Sequence, residues 1–484
     1  MKPEAFKAKI VLAASFLCAA YCSQAIADDV DPPPRPWGSL ARNALGNTLE
    51  KNRIGVLGWA EGTLLETNNN IGDTLQPAGY GQSVLPQGLF TQMEGATLNQ
   101  AGVMICSGPA CPPVMFGPQH NVLGRIGPTP APKSESIDIG FNVTAMYGED
   151  VFFLKTKGLD DWDWDVENQN KFALTQWFLD IYLPIFDGAS LMVGSFQTPL
   201  SNDIGYPFTP PNWFVSHTYA FGHGPAKHVG ALAQVKIPTA KEFGLLSVEG
   251  GIVTGWNVLE SPNGDPSYIA GIRWRSPNMK TWIDVETIYG NGENDGSDTV
   301  TLADGSTRAR GGGSPYLAVS ATGDYLARFS GDLVITHQVT DKLQFALEAI
   351  YGYQEGGDAL PGLPPFAITE DSPWYGANVA FRYMLQQNVF FNARAEWFRD
   401  ENGAHLLWGN VGAKGGDVYA LTANLNWDPN PWLTIRPEVR YDVYTGKGHL
   451  FAPAYPVGSG APPQAQVATE DEQLTFMLNG VTRF

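Results

Sequence analysis

The chain has 484 residues, a formal net charge of −19, and only 16% Asp, Glu, Lys and Arg, against about 25% in an average soluble domain. Its 14 Trp, 18 Tyr and 25 Phe exclude a disordered polymer, and its acidity excludes a surface built for nucleic-acid phosphates. Beyond residue 27 no run of about 18 apolar residues exists, so helices cannot carry it across a bilayer, and an all-β, membrane-spanning chain is the expectation that remains.

The first segment reads as an export signal. Lys2, Lys7 and Lys9 precede the apolar stretch Ile10 to Ala20, and Ala25-Ile26-Ala27 offers a small-residue cleavage site after Ala27. Neither Cys18 nor Cys22 has the small-residue context of a lipoprotein signal. Residues 28–53 then read as a periplasmic N-terminal segment, and 54–484 as one barrel.

Sixteen segments alternate with period two, which places successive side chains on opposite faces of a sheet. They lie near residues 54–66, 96–105, 137–147, 172–183, 189–198, 227–237, 245–257, 267–275, 280–290, 324–338, 343–354, 372–383, 389–400, 417–427, 433–444 and 472–484. In one of them Leu433, Ile435, Pro437, Val439, Tyr441 and Val443 oppose Thr434, Arg436, Glu438, Arg440, Asp442 and Tyr444. Lengths near ten suit tilted strands crossing an apolar layer, and Tyr351, Tyr383, Trp397, Trp427, Trp432 and Tyr441 near strand ends suit interfacial girdles. Connections alternate short and long, so the sequence predicts a transmembrane antiparallel β-barrel of about 16 strands with short periplasmic turns and long extracellular loops.

Residues 106–136 break that alternation, since the register calls for a short turn there. This insertion holds Cys106 and Cys111, for which an oxidising compartment favours a local disulfide. A metal site would need more ligands than His120 supplies, and no cofactor or metal is expected anywhere. The last strand alternates Leu474, Phe476, Leu478, Gly480, Thr482 and Phe484 with Gln473, Thr475, Asn479 and Arg483. Phe484 on such a strand resembles the sorting signal read by the barrel-assembly machinery of Gram-negative bacteria. The chain is therefore expected in the outer membrane, among its lipid and lipopolysaccharide.

Three stretches add a resemblance. Asp180-Ile181-Tyr182-Leu183-Pro184, Val193-Gly194-Ser195-Phe196-Gln197-Thr198-Pro199-Leu200 and Ser216-His217-Thr218-Tyr219-Ala220-Phe221-Gly222, followed by Gly224-Pro225 and His228, are similar to the OmpL-like β-barrel porins, most clearly over 172–236. Ser195 stands where that family often has Lys, and the 106–136 segment is longer than its pattern. The resemblance implies a passive diffusion channel, and porins of this kind leave a homotrimer open.

Strand phase sends Arg328, Arg382, Arg394, Arg436 and Arg440 into the lumen, with Asp180, Asp284, Glu286, Asp332, Glu348, Glu396, Glu438 and Asp442. As water-wetted charges these give a weak cation preference, and as mutually neutralised wall charges they give none. Residues 199–226 are the expected constriction. Tyr206, Phe208, Trp213, Phe214, His217, Tyr219 and Phe221 give this loop apolar area to bury, and its prolines stiffen it. The alternatives are a receptor or structural barrel without an open pore, or an outer-membrane hydrolase. No Ser, His and acid spacing is distinctive, so an enzyme is not expected, and the acidic run 160–167 lacks the Gly and bidentate Glu of a calcium loop.

Overall fold

A computed structural model describes residues 48–69, 95–112, 134–160, 170–203, 212–222, 224–261, 264–290, 299–301, 307–309, 326–359, 369–402, 415–454 and 467–484. The signal segment 1–27, most of 28–53, Tyr206, Phe208, His120, His223 and the acidic run beyond Asp160 lie outside the described residues.

The barrel strands are β1 (Ile54–Thr67), β2 (Gly95–Ser107), β3 (Asp138–Gly148), β4 (Lys171–Leu183), β5 (Ala189–Gln197), β6 (Lys227–Ile237), β7 (Leu245–Val253) and β8 (Ser267–Arg275). They continue as β9 (Thr281–Gly290), β10 (Arg328–Gln338), β11 (Leu343–Gln354), β12 (Ser372–Gln386), β13 (Val389–Asp400), β14 (Gly416–Asn430), β15 (Leu433–Gly446) and β16 (Glu472–Arg483). Each pairs antiparallel with its neighbour in sequence, and β16 returns to β1, closing the sheet. Closure leaves no strand edge unpaired, which lipid requires because no water is there to serve free N–H and C=O groups. At the seam, Phe484 and Gly58 exchange N–H···O=C bonds of 2.9 Å in both directions. The Phe484 ring occupies the space a side chain at residue 58 would need.

All sixteen segments expected from periodicity are strands. The seventh stops earlier than expected, at Val253, because Gly255 (φ 142°) and Asn257 (φ 56°) turn the chain, and buried Trp256 lies 4.9 Å from the Arg328 guanidinium. Two short hairpins, Thr299–Thr301 with Thr307–Ala309 and Phe451–Ala454 with Val467–Glu470, sit within long loops where no alternation announced them.

The outward positions are strongly apolar. Leu64, Ile139, Leu179, Ile252, Ile272 and Leu421 are each at least half exposed, a surface water would not tolerate over a whole barrel and hydrocarbon accepts. Toward the long-loop end, Tyr351 stacks on Tyr375 at 6.5 Å and Tyr375 meets Trp397 edge-on at 5.7 Å. Tyr383, Phe391 and Trp432 are exposed near the opposite end, giving a second belt. No described helix is long and apolar enough to cross a membrane.

At the short-turn end, the β2–β3 connection begins with a single 3-10 turn, Gly108–Ala110, and Cys106 and Cys111 are joined in a disulfide with Cα atoms 5.1 Å apart. Both are buried with Leu57, Met104 and Met146 on the inner side of the first strands. Asn142 of β3 donates to the Ala110 carbonyl at 3.2 Å, and Arg53 pairs with Asp138 at 2.7 Å, binding the turn to its wall.

Candidate functional site

The long β5–β6 connection, residues 198–226, turns inward, and its described parts pack on the inner wall of β13, β14 and β15. A chain segment placed inside a barrel brings N–H and C=O groups that must find partners. Here charged wall residues supply them, and they address the loop's main chain. Glu438 accepts from the Val215 N–H at 2.6 Å, the Ser216 N–H at 2.8 Å and the Ser216 hydroxyl at 2.5 Å. Glu396 accepts from the Tyr219 N–H at 2.5 Å. In the other sense, Arg436 donates to the Asn212 carbonyl (3.1 Å), Arg394 to Ser216 (2.9 Å) and Arg440 to His217 (2.9 Å). Asn392 and Asn424 both donate to the Trp213 carbonyl.

The wall groups also neutralise one another. Arg440 binds Asp442 at 2.8 Å and reaches Glu396 at 3.4 Å, and Arg436 meets Glu61 of β1 at 2.6 Å, so the grip extends across the seam. Loop side chains add ring contacts. Phe214 lies 4.5 Å from the Arg394 guanidinium, Tyr219 lies 5.3 Å from that of Arg440, and the Tyr219 hydroxyl donates to Asp442 at 3.1 Å. His217 stacks on Phe221 at 4.4 Å, and Phe221 enters the apolar cluster of Leu57, Trp59, Met104 and Met146.

The beginning of the loop is held separately. The Asn202 N–H donates to Glu348 at 3.1 Å, and Asp203 accepts from the Thr218 N–H at 2.9 Å, tying the two limbs together. Burial works to raise the Asp203 carboxyl, but the His217 imidazole, the Arg394 guanidinium and the Thr218 N–H outweigh it and hold the group below the usual carboxylate range. At the loop base, buried His228 bridges the Thr198 hydroxyl (3.0 Å) and the Gly255 carbonyl (2.9 Å).

Across the lumen, Arg273 of β8 sits between Glu286 at 2.9 Å and Glu249 at 3.5 Å, and Arg275 pairs with Asp284. Asp332 is directly opposite Glu286 in the β9–β10 register, and Arg328 donates to Gln354 at 2.8 Å. Arg382 lies 4.0 Å from the Phe390 ring and 5.9 Å from that of Trp213.

Every lumen charge named from strand phase does point inward, but the expectation that they wet a water column needs correction. Arg328, Arg394, Glu396, Arg436, Glu438, Arg440, Asp442, Glu286, Asp332, Glu348 and Asp180 are all buried, whereas Arg382 and Asp284 keep partial exposure. For Arg394, Glu396, Arg436, Glu438, Arg440, Asp442 and Glu348 the physical reason is the loop and the wall's own counter-charges, which take the place of water. Glu286 is instead met by Arg273, Asp180 by the Ser190 hydroxyl and Arg328 by Gln354. Sequence reasoning passed over Glu61, Asp203, Glu249, Arg273, Arg275, Asn392 and Asn424. For Arg273 and Arg275 the signal was present, since they alternate with Ile272 and Trp274. Among the described residues no group of three or more His, Cys, Asp and Glu could hold a metal ion.

Comparison with known proteins gives one family and several similar structures. No curated protein sequence matches the chain. Among solved structures it is similar to the outer-membrane channel DcaP of Acinetobacter baumannii (TM-score 0.48, 10% identity, covering 89% of this chain and 97% of that one). It is also similar to OprB of Pseudomonas putida (TM-score 0.49, 12% identity, 94% and 99%) and to an anion-selective porin from Comamonas acidovorans (0.48, 7%, 89% and 99%). At such identities these likenesses carry no argument about function. The family described as putative beta-barrel porin-2, OmpL-like, matches residues 122–484, from ahead of β3 through the seam. The chain thus belongs to the OmpL-like β-barrel porins.

Proposed function

We propose that this porin forms a water-filled channel for passive diffusion of small hydrophilic solutes or ions, with its bore narrowed by residues 199–226. A sixteen-stranded barrel encloses more room than its own inward side chains fill, so the width of any passage depends on what else enters the lumen. The observation that carries the reading is the docking of Val215, Ser216 and Tyr219 on Glu438 and Glu396, which fixes the loop against one side of the inner wall. In this reading turnover of a substrate plays no part.

The membrane setting completes the proposal. The apolar exterior between two aromatic belts faces outer-membrane lipid and lipopolysaccharide, the barrel-assembly machinery engages the strand ending at Phe484, and export removes residues 1–27. A homotrimer is the assembly we assign. Planar-bilayer recording of the purified protein tests the function: discrete conductance steps are expected, and deleting 203–221 raises their size. Silence in the bilayer would refute the channel, and an unchanged step size in the deletion variant would refute the constriction.

A further inference from the structure

The inner wall carries many more charges than permeating ions can meet. A guanidinium and a carboxylate in contact and sealed from water present a small local dipole, whereas a charge that keeps water contact acts directly on an ion passing it. Burial divides the wall along that line. Arg440, Asp442, Glu438 and Glu286 are at most 1% exposed, and Arg436 and Arg273 are at 2%. The Asp203 side chain retains 15% of its exposure and that of Asp284 retains 17%, and Arg382 is half-buried. Beside the short turns, the half-buried inward positions Lys236 and Asp428 add one charge of each sign.

We infer that Asp203, Asp284 and Arg382 determine the ionic selectivity of the channel, and that the buried charges hold the loop and the wall in place without selecting. The inference rests on the channel reading above and deepens it. Arg382 is the positive member. It projects from β12 near the short-turn end, with its guanidinium against the Phe390 and Trp213 rings, so a wall residue and the docked loop together set its position. Asp203 is fixed on the loop by the Thr218 N–H and His217, and Asp284 is fixed on β9 by Arg275. Two carboxylates and one guanidinium, each partly compensated or screened, give a channel that admits small ions of both signs with a mild preference for cations.

Reversal potentials across a salt gradient test this in planar bilayers, with folding checked by the heat-dependent gel migration of an intact barrel. At low ionic strength Arg382→Gln is expected to raise the cation-to-anion permeability ratio about two- to threefold, the size of effect one unit charge screened by water has on an ion passing close to it. Asp284→Asn and Asp203→Asn are expected to lower it by a similar factor. Glu249→Gln, which alters a buried carboxyl on the same wall, is expected to leave it unchanged. Conducting Arg382→Gln and Asp284→Asn channels with wild-type reversal potentials would overturn the inference, as would a Glu249→Gln shift as large as theirs. Should Arg382→Gln fail to fold, Asp203→Asn and Asp284→Asn decide the matter. Absence of conductance in the wild type would instead sink the channel reading itself.

Discussion

Glu438→Ala is the perturbation that separates a docked loop from a merely neighbouring one. The carboxylate takes three hydrogen bonds from the loop, from the N–H groups of Val215 and Ser216 and the Ser216 hydroxyl, and a fourth from Asn424 at 2.9 Å. A hydrogen bond to a charged group contributes about 1.5–3 kcal/mol net, and bonds sharing one acceptor do not add fully. Losing the three loop bonds therefore weakens docking by about 3–5 kcal/mol. At about 1.4 kcal/mol per factor of ten, the docked-to-undocked ratio falls by about two to three and a half orders of magnitude. The barrel itself should persist, since β15 keeps its ladders to β14 and β16. Single-channel recording is then expected to show a noisier trace and a mean conductance approaching that of the 203–221 deletion. Glu438→Gln retains one carbonyl acceptor and should fall between. A folded Glu438→Ala barrel with wild-type conductance would show that these bonds do not fix the bore.

The seam, the disulfide and the β3–β4 connection each give a measurable expectation. Gly58→Leu puts a side chain where the Phe484 ring lies, so the yield of heat-modifiable barrel should drop sharply, and Gly58→Leu combined with Phe484→Ala should recover part of it. Replacing Cys106 and Cys111 by Ser releases a bridge of sequence separation 5, for which loop-closure entropy gives about 2 kcal/mol, read as a lower urea midpoint that added reductant no longer moves. Glu149, just beyond β3, is pushed up to about 7 by burial. Its folded value lies above its unfolded value near 4.3, so its stabilising contribution is complete below about pH 4 and fades as pH rises through about 7. Stability is expected to fall by up to about 3 kcal/mol between pH 4 and 8, by urea titration, and Glu149→Gln should flatten that change.

The strands were legible because two constraints write them directly into the order of residues. The pleat forces a period of two, and the bilayer forces one side of that period to be apolar, so Leu421 and Arg394 announce opposite faces without knowledge of any partner. The inward direction of Arg436, Glu438 and Arg440 was legible for the same reason. Their surroundings were not, because Ser216 and Glu438 are 222 positions apart and no local pattern couples them. The aromatic character of Trp213, Phe214, Tyr219 and Phe221 did mark the loop as one that buries itself. Asp203 gave no such signal, since a lone acid in a loop reads as solvated until Thr218, His217 and Arg394 are seen around it. The two loop hairpins escaped because each strand spans only three or four residues, too few for alternation to register.

The wall holds the β5–β6 connection chiefly through peptide groups, at Asn212, Trp213, Val215, Ser216, His217 and Tyr219. Those groups are common to almost every amino acid. Relatives of this porin could thus exchange the residues lining the loop's free side, retuning what passes, while the mooring stays the same. Variation in solute range would then be concentrated in a short stretch of chain, and the Arg and Glu ladder beneath it would stay nearly invariant.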